Sequence, residues 1–170
     1  MGYEKPLRLH SRQTLVGLCL LLLAGVAIGQ DCTPGRAAAR FALNADGTAT
    51  DGTTGLTWQR CSEGQTWGGS TCTGDAALHD WREAMALGQQ SGEGGWRLPT
   101  IDELASIVDK DCADPSVDPG VFPATPSGVF WSSATDANAD YAWYVHFRDG
   151  HASKAHKYRG GYVRRVRGQS

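Results

Sequence analysis

Over most of the chain, apolar and polar residues alternate in short bursts rather than long runs. In "ARFALNADGTATDGTTGLTWQRC", Phe41 and Leu43 flank a small residue, Asn44 to Gly47 makes a turn, and Gly55 precedes "LTWQ". This predicts short strands around turns, with "NADGTATD" as a hairpin. Helical spacing follows: Asp75 is the expected N-cap, Leu78, Trp81, Met85 and Gly88 fall on one face, and "SGEGG" stops the run. A second helix is predicted inside "GGWRLPTIDELASIVD". Thr100 and Glu103 have the spacing of a capping box, and Asp102 adds negative charge at the positive end of the helix dipole. Pro99 blocks extension backward and is placed to touch Leu104, while Ile101, Leu104, Ile107 and Val108 form the buried stripe. Ahead of Pro99 the chain should be extended, with Trp96 and Leu98 on one side and Arg97 on the other. The later segments "GVFWSSA", "YAWYVHFRDG" and "YVRRVRG" predict further strands. Strands, two helices, then strands argue for an α+β fold built on an antiparallel sheet.

The first residues break this pattern. Lys5, Arg8 and Arg12 precede an apolar run from Leu15 to Ile28 that ends in small residues, as in a secretory signal peptide. Residues 1–29 are expected to be that leader, cleaved after Gly29, with Ala27 and Gly29 as the small side chains a signal peptidase reads. The run is shorter than the roughly 20 residues that span a bilayer, so no stable membrane insertion is expected after cleavage. Residues 30–170 have the length of one domain. Export, to the periplasm or the cell surface, is the expected destination.

Cysteine usage agrees with export. Cys19 leaves with the leader, and Cys32, Cys61, Cys72 and Cys112 remain, an even number suited to two disulfides. Four cysteines admit three connectivities. Cys61 and Cys72 bracket the short loop "CSEGQTWGGSTC" and are paired here, leaving Cys32 with Cys112. No two of them have the close spacing of a zinc site.

Charge separates along the chain. From Asp31 to Asp140 there are 6 basic and 16 acidic residues, and from Tyr141 to Ser170 there are 7 basic and one acidic, Asp149. The basic end offers Arg148, Lys154, Lys157, Arg159, Arg164, Arg165 and Arg167 to sulfate or carboxylate groups, Arg being suited to bidentate contacts. The competing use of these cations is to neutralise the acidic body. A net negative, exported domain is not expected to bind nucleic acid.

Of the six tryptophans, Trp58, Trp81, Trp96, Trp131 and Trp143 lie in periodic segments and are expected in the core. Trp67 lies in the Gly-rich loop and is the candidate for ligand contact. Asp109, Asp111, Asp114 and Asp118 crowd one connection and are the residues that would supply a calcium site, although their spacing matches no EF-hand and no cofactor is expected. His79, His146, His151 and His156 belong to no nucleophile motif, Ser132 and Ser133 read as strand residues, and no catalytic residues are assigned.

Taken in order, "TDGTTGLTWQRC", "CTGDAALHDWREAMAL", "GGWRLPTIDELASIVD", "VFPATPSGVFWSSA", "AWYVHFRDG" and "YVRRVRG" resemble the bacterial exported family called Lcl C-terminal-like, a domain of unknown function named after the end of a collagen-like adhesin. The resemblance covers nearly all of Ala45 to Gly168. It implies a C-type-lectin-like, disulfide-stabilised α+β architecture with two helices. It also implies a non-catalytic, adhesin-like domain that binds a glycan or acidic polysaccharide, the alternatives being an accessory domain that binds an envelope protein, or an enzyme with an unrecognised site. With its cysteines in disulfides the chain has no thiol for the copper chemistry of formylglycine-generating relatives, and it lacks the Glu-Pro-Asn and Gln-Pro-Asp tripeptides of calcium-dependent lectins. Arg165 departs from the family pattern, which commonly has an apolar residue or cysteine there. Either the strand faces solvent at that point or Arg165 pairs with an acid.

Overall fold

A tight turn joins the first two strands because its side chains close it. In the computed structural model, which describes residues 1–2, 32–90 and 95–168, the Asp46 carboxylate accepts from the Thr48 amide at 3.0 Å and the Thr48 hydroxyl at 2.7 Å. Gly47 takes the positive φ of 82° that the turn requires. The charged and apolar parts of the expected leader, with Cys19 and the expected cleavage position after Gly29, lie outside the described residues, as does the Ser91–Gly94 part of the expected helix stop.

After a 3-10 turn at Arg36–Ala39 the order is β1 (Phe41–Leu43), β2 (Thr48–Asp51), β3 (Thr57–Gln59), β4 (Thr66–Trp67), β5 (Cys72–Thr73), α1 (Trp81–Gln90), α2 (Ile101–Ser106), β6 (Val129–Thr135), β7 (Tyr141–His146), β8 (His151–His156) and β9 (Val166–Arg167). The strands form three sheets, ordered β1-β2-β3-β9, β4-β5 and β6-β7-β8, and all their pairings are antiparallel. The chain is thus α+β with antiparallel sheets, two helices and two disulfides, Cys61–Cys72 and Cys32–Cys112. None of the described helices is long and apolar enough to cross a membrane.

The sheet β6-β7-β8 has a helix on each face, because adjacent strand residues point oppositely. Phe130 and Val145 enter one core with Leu104 of α2, Trp58 of β3 and Val166 of β9. Trp131, Ala142 and Ala155 enter a second core with Ala84 of α1 and Leu98. Leu104 and Ile107 are buried and Ile101 and Val108 pack against the main core, so the expected stripe of α2 is present. Its capping box is also present: the Thr100 hydroxyl accepts from the Glu103 amide at 3.2 Å, and the Glu103 carboxylate accepts from the Thr100 amide at 2.7 Å.

The first helix begins later than the spacing suggested. Asp80, not Asp75, caps it: the Glu83 amide donates to the Asp80 carboxylate at 2.9 Å and the Asp80 amide to the Glu83 carboxylate at 3.0 Å. The residues before Asp80 are held otherwise. The Ala77 amide donates to the Glu63 carbonyl, and His79 exchanges backbone bonds with Gly161. Leu78 is consequently outside the helix and 59% exposed. Strand β8, "HASKAH", was not singled out by its composition. It forms because the turn at Asp149–Gly150 brings it against the whole of β7, pairing Tyr141 with His156 through His146 with His151.

Two ion pairs fasten these elements. The Arg40 Nε donates to Asp51 at 2.9 Å, with a second bond from Nη2, while Nη1 reaches the Ser106 carbonyl at 2.7 Å and ties β2 to the end of α2. The Asp51 side chain is wholly buried. Burial pushes its carboxyl up, but bonds from Arg40, Thr54 and the Thr53 amide, with the Arg40 charge, outweigh that and hold it at about 2. Glu103 is held below the usual carboxylate range first by its hydrogen bonds from Arg97, against an upward push from burial.

Asp51→Ala leaves Arg40 without its partner, and chemical unfolding should show a loss of roughly 3 kcal/mol. A carboxyl with a depressed folded-state value contributes stability that is complete above its unfolded value of about 4 and lost as pH falls toward the folded value. Stability should therefore decline between about pH 4 and about pH 2, the Asp51 value. Urea titrations across that window should show a shallower decline for Asp51→Asn, and an unchanged slope would contradict the assignment.

Candidate functional site

The hairpin β4-β5, closed by Cys61–Cys72, lays Trp67 against the turn between β1 and β2. Trp67 is half-buried in a strand rather than displayed at a loop tip, because its neighbours hold it. Its Nε1 donates to the Ala45 carbonyl at 3.2 Å and the Arg60 guanidinium lies 4.2 Å from its ring centroid. A Cβ on Gly47 would sit 2.5 Å from the Trp67 Cγ, so only glycine admits the ring at that place.

Trp67 forms one wall of a cleft of about 360 Å³, with Trp96, Arg165 and Arg167 among its other linings. The C-terminal segment supplies the two arginines by alternation: Arg164 and Val166 are buried, and Arg165 and Arg167 are only partly so. Val166 pairs with Trp58 on one side and exchanges backbone bonds with Arg97 on the other, which sets Trp96 beside Arg167. The Arg167 guanidinium lies 4.7 Å from the Trp96 ring centroid, and among the described residues it has no carboxylate partner. Arg165 pairs with Glu63 at 3.1 Å and donates to Gln59 at 3.2 Å, which resolves its departure from the family pattern: it is paired with an acid. The Asp46 carboxylate, at the cleft edge, is engaged by Thr48.

Arg164 differs from the ligand role read from the sequence. It is 1% exposed, with its guanidinium 4.7 Å from the Phe122 ring centroid. Nη1 donates to the carbonyls of Gln59 and Arg60, and Nη2 to the hydroxyls of Thr125, at 2.7 Å, and Ser62, at 3.3 Å. Burial pushes its pKa down to about 9, which leaves the group charged at neutral pH. Arg164 therefore joins β3, the turn after it, the 121–128 connection and the C-terminal strand, and is enclosed by them.

The other basic residues do not gather in the cleft. Lys154 pairs with Asp136 at 2.9 Å, Arg148 lies 3.9 Å from Asp149, and Arg159 is exposed. Lys157 donates to the Ala139 carbonyl at 2.6 Å and lies 4.4 Å from the Trp81 ring centroid. Of the tryptophans expected inside, Trp58 and Trp131 are fully buried. Trp81, Trp96 and Trp143 are half-buried, Trp81 because its Nε1 reaches the Ser132 carbonyl at the sheet edge.

Two of the aspartates considered for calcium, Asp118 and Asp109, accept from backbone amides, and a third, Asp114, accepts from a side chain. Asp118 is buried and accepts from the amides of Gly35, Ala37 and Gly120 at 2.9, 2.7 and 2.7 Å. Asp109 accepts from the Asp111 amide at 3.0 Å, and Asp114 accepts from the Ser127 hydroxyl. Among the described residues no group of three or more His, Cys, Asp or Glu is placed to hold a metal ion. Three of the four candidate histidines bond to other groups than a serine: His156 to the Tyr141 hydroxyl at 2.7 Å, His151 to Asp149, and His146 Nδ1 to the Arg148 amide at 3.2 Å, while His79 Nδ1 lies 3.8 Å from Glu83.

Sequence reasoning missed Trp96, assigned to the core, as a lining residue. It also missed that Arg97 is taken by the protein's own Glu103 through bonds of 2.7 and 2.6 Å. The spacing of Arg97 and Glu103 across the capped helix start was the available signal.

Arg164→Met removes the donors for two carbonyls and two hydroxyls in the core. It should lower stability by roughly 3 kcal/mol in urea unfolding. A variant as stable as the wild type would show that these acceptors find other partners. A family model described as the Lcl C-terminal domain matches residues 47–167. No curated protein matches the chain.

Proposed function

The chain belongs to the Lcl C-terminal domain family, and from that premise we propose that it is an exported, non-catalytic domain of C-type-lectin-like architecture that binds an acidic polysaccharide. One observation carries the reading: Trp67, Trp96, Arg165 and Arg167 line a single cleft. Indole rings offer flat apolar faces to the C–H face of a sugar, and guanidinium groups bond carboxylate or sulfate oxygens in pairs. Arg167 is the cation for this task, since it stacks on Trp96 and among the described residues no carboxylate takes the N–H donors at its edge. Arg165, already paired with Glu63, orders the wall.

The remaining parts of the proposal have their own support. Two disulfides suit an oxidising compartment, as does a leader with a basic start and an apolar run. Two helices on opposite faces of an antiparallel sheet, followed by a returning C-terminal strand beside β3, suit the lectin-like architecture. Arg148, Lys154, Lys157 and Arg159 lie outside the cleft and would act only as a general positive field around it.

Retention on immobilised heparin is the test. At about 50 mM NaCl the protein should be held, and Arg167→Ala and Trp67→Ala should elute at lower salt. The Lys154→Ala/Lys157→Ala double variant should elute close to the wild type. The reverse order would move the site to β8, and absence of retention by the wild type would remove the acidic-polysaccharide reading in favour of a protein partner.

A further inference from the structure

A larger cleft, of about 540 Å³, opens between the start of α1 and the end of β8 and shares no lining residue with the Trp67 cleft. Its volume is in the range of small-molecule sites. Its walls are aromatic and fixed. The Trp81 indole is held by its 2.8 Å bond to the Ser132 carbonyl. His156 lies between two tyrosines: the Tyr141 ring centroid is 4.0 Å away, with its hydroxyl bonded to His156 Nε2, and the Tyr158 ring is stacked at 5.0 Å and 19°. Tyr158, the outer ring of this stack, is 77% exposed. A large ring left in water yet held by a stack beneath it is a preorganised platform rather than a mobile side chain.

The charges around the platform balance. Two acids, Asp80 and Asp140, and two cations, Arg82 and Lys157, are among its linings. Two of the four are already engaged: Asp80 caps α1, and Lys157 is bonded to the Ala139 carbonyl over Trp81. Asp140 and Arg82 have no side-chain partner among the described residues, which leaves one acceptor and one donor at the mouth. An anion there would meet Asp140 and a cation would meet Arg82, so neither gains from the field. A ligand that both donates and accepts through hydroxyl groups, carries no net charge and has a flat apolar face satisfies every element.

We propose that this cleft is a second binding site, for an uncharged pyranoside, with the sugar ring stacked on Tyr158 and its hydroxyls bonded by Asp140 and Arg82. The assignment is independent of the acidic-polysaccharide reading, because the two clefts differ in residues and in the role of charge.

Saturation-transfer NMR and calorimetry on the purified protein test it, with cellotriose, maltotriose, laminaritriose and triacetylchitotriose as probes. At least one should bind, with the same affinity at about 0.05 and about 0.5 M NaCl. Tyr158→Ala, which removes an exposed side chain and should leave the thermal midpoint unchanged, is expected to weaken binding about tenfold or more, as is Asp140→Asn. Trp67→Ala and Arg167→Ala should bind these probes as the wild type does. The proposal is overturned if none binds at roughly 10 mM, if Tyr158→Ala binds like the wild type, if salt abolishes binding, or if Arg167→Ala does.

Discussion

A guanidinium buried without a carboxylate must find its acceptors in the chain around it, and the placement of Arg164 organises the rest of this structure. Four acceptors surround it, from Gln59, Arg60, Ser62 and Thr125, and Phe122 and Phe130 cover its faces. Leaving such a cation unsatisfied costs several kcal/mol, on the order of the net stability of a small domain. The segments that carry these acceptors are therefore held in one relative arrangement. With Arg164 and Val166 turned inward, strand geometry turns Arg165 and Arg167 outward, and the pairing of Val166 with both Trp58 and Arg97 sets Trp96 alongside. The Trp67 cleft is the outer side of that buried arrangement.

The acidic residues of the body act mostly as internal fasteners. Asp51 holds Arg40, Glu103 holds Arg97 while capping α2, Asp118 gathers three amides, and Glu63 fixes Arg165. Each satisfies a donor that would otherwise be buried or left at a helix end. The separation of an acidic body from a basic end is partly consumed in this way, since Arg165 and Lys154 meet acids from earlier in the sequence. Arg167, Lys157 and Arg159 meet no acid among the described residues and remain for a field outside the protein.

Features that depend on neighbours in sequence could be read from it. The Thr100–Glu103 box, the stripe of α2, the Asn44–Gly47 turn and the Cys61–Cys72 pairing each follow from spacing over a few residues. Features decided by distant partners could not. Asp75 and Asp80 are equally good caps locally, and the backbone bonds of His79 to Gly161 decide between them. Strand β8 has little apolar pattern and owes its form to the length of β7 beside it. Arg164 and Arg165 are adjacent and chemically identical, so only the register of β9 against β3 tells which is core and which is surface. Trp67 was recognised as a candidate by its Gly-rich surroundings, but its partner Trp96 arrives from elsewhere in the chain, through the pairing of Arg97 with Val166.

The strand fixed by Arg164 is proposed to present Arg167 and two indoles to an acidic saccharide. The most direct test is a titration of isotope-labelled protein with a heparin hexasaccharide, followed through the indole N–H and arginine side-chain signals. Shifts are expected in the Trp67 and Trp96 indoles and in Arg167, with the buried Trp58 and Trp131 indoles unmoved. Shifts confined to Lys154, Lys157 and Arg148, with Trp67 and Trp96 unaffected, would contradict it.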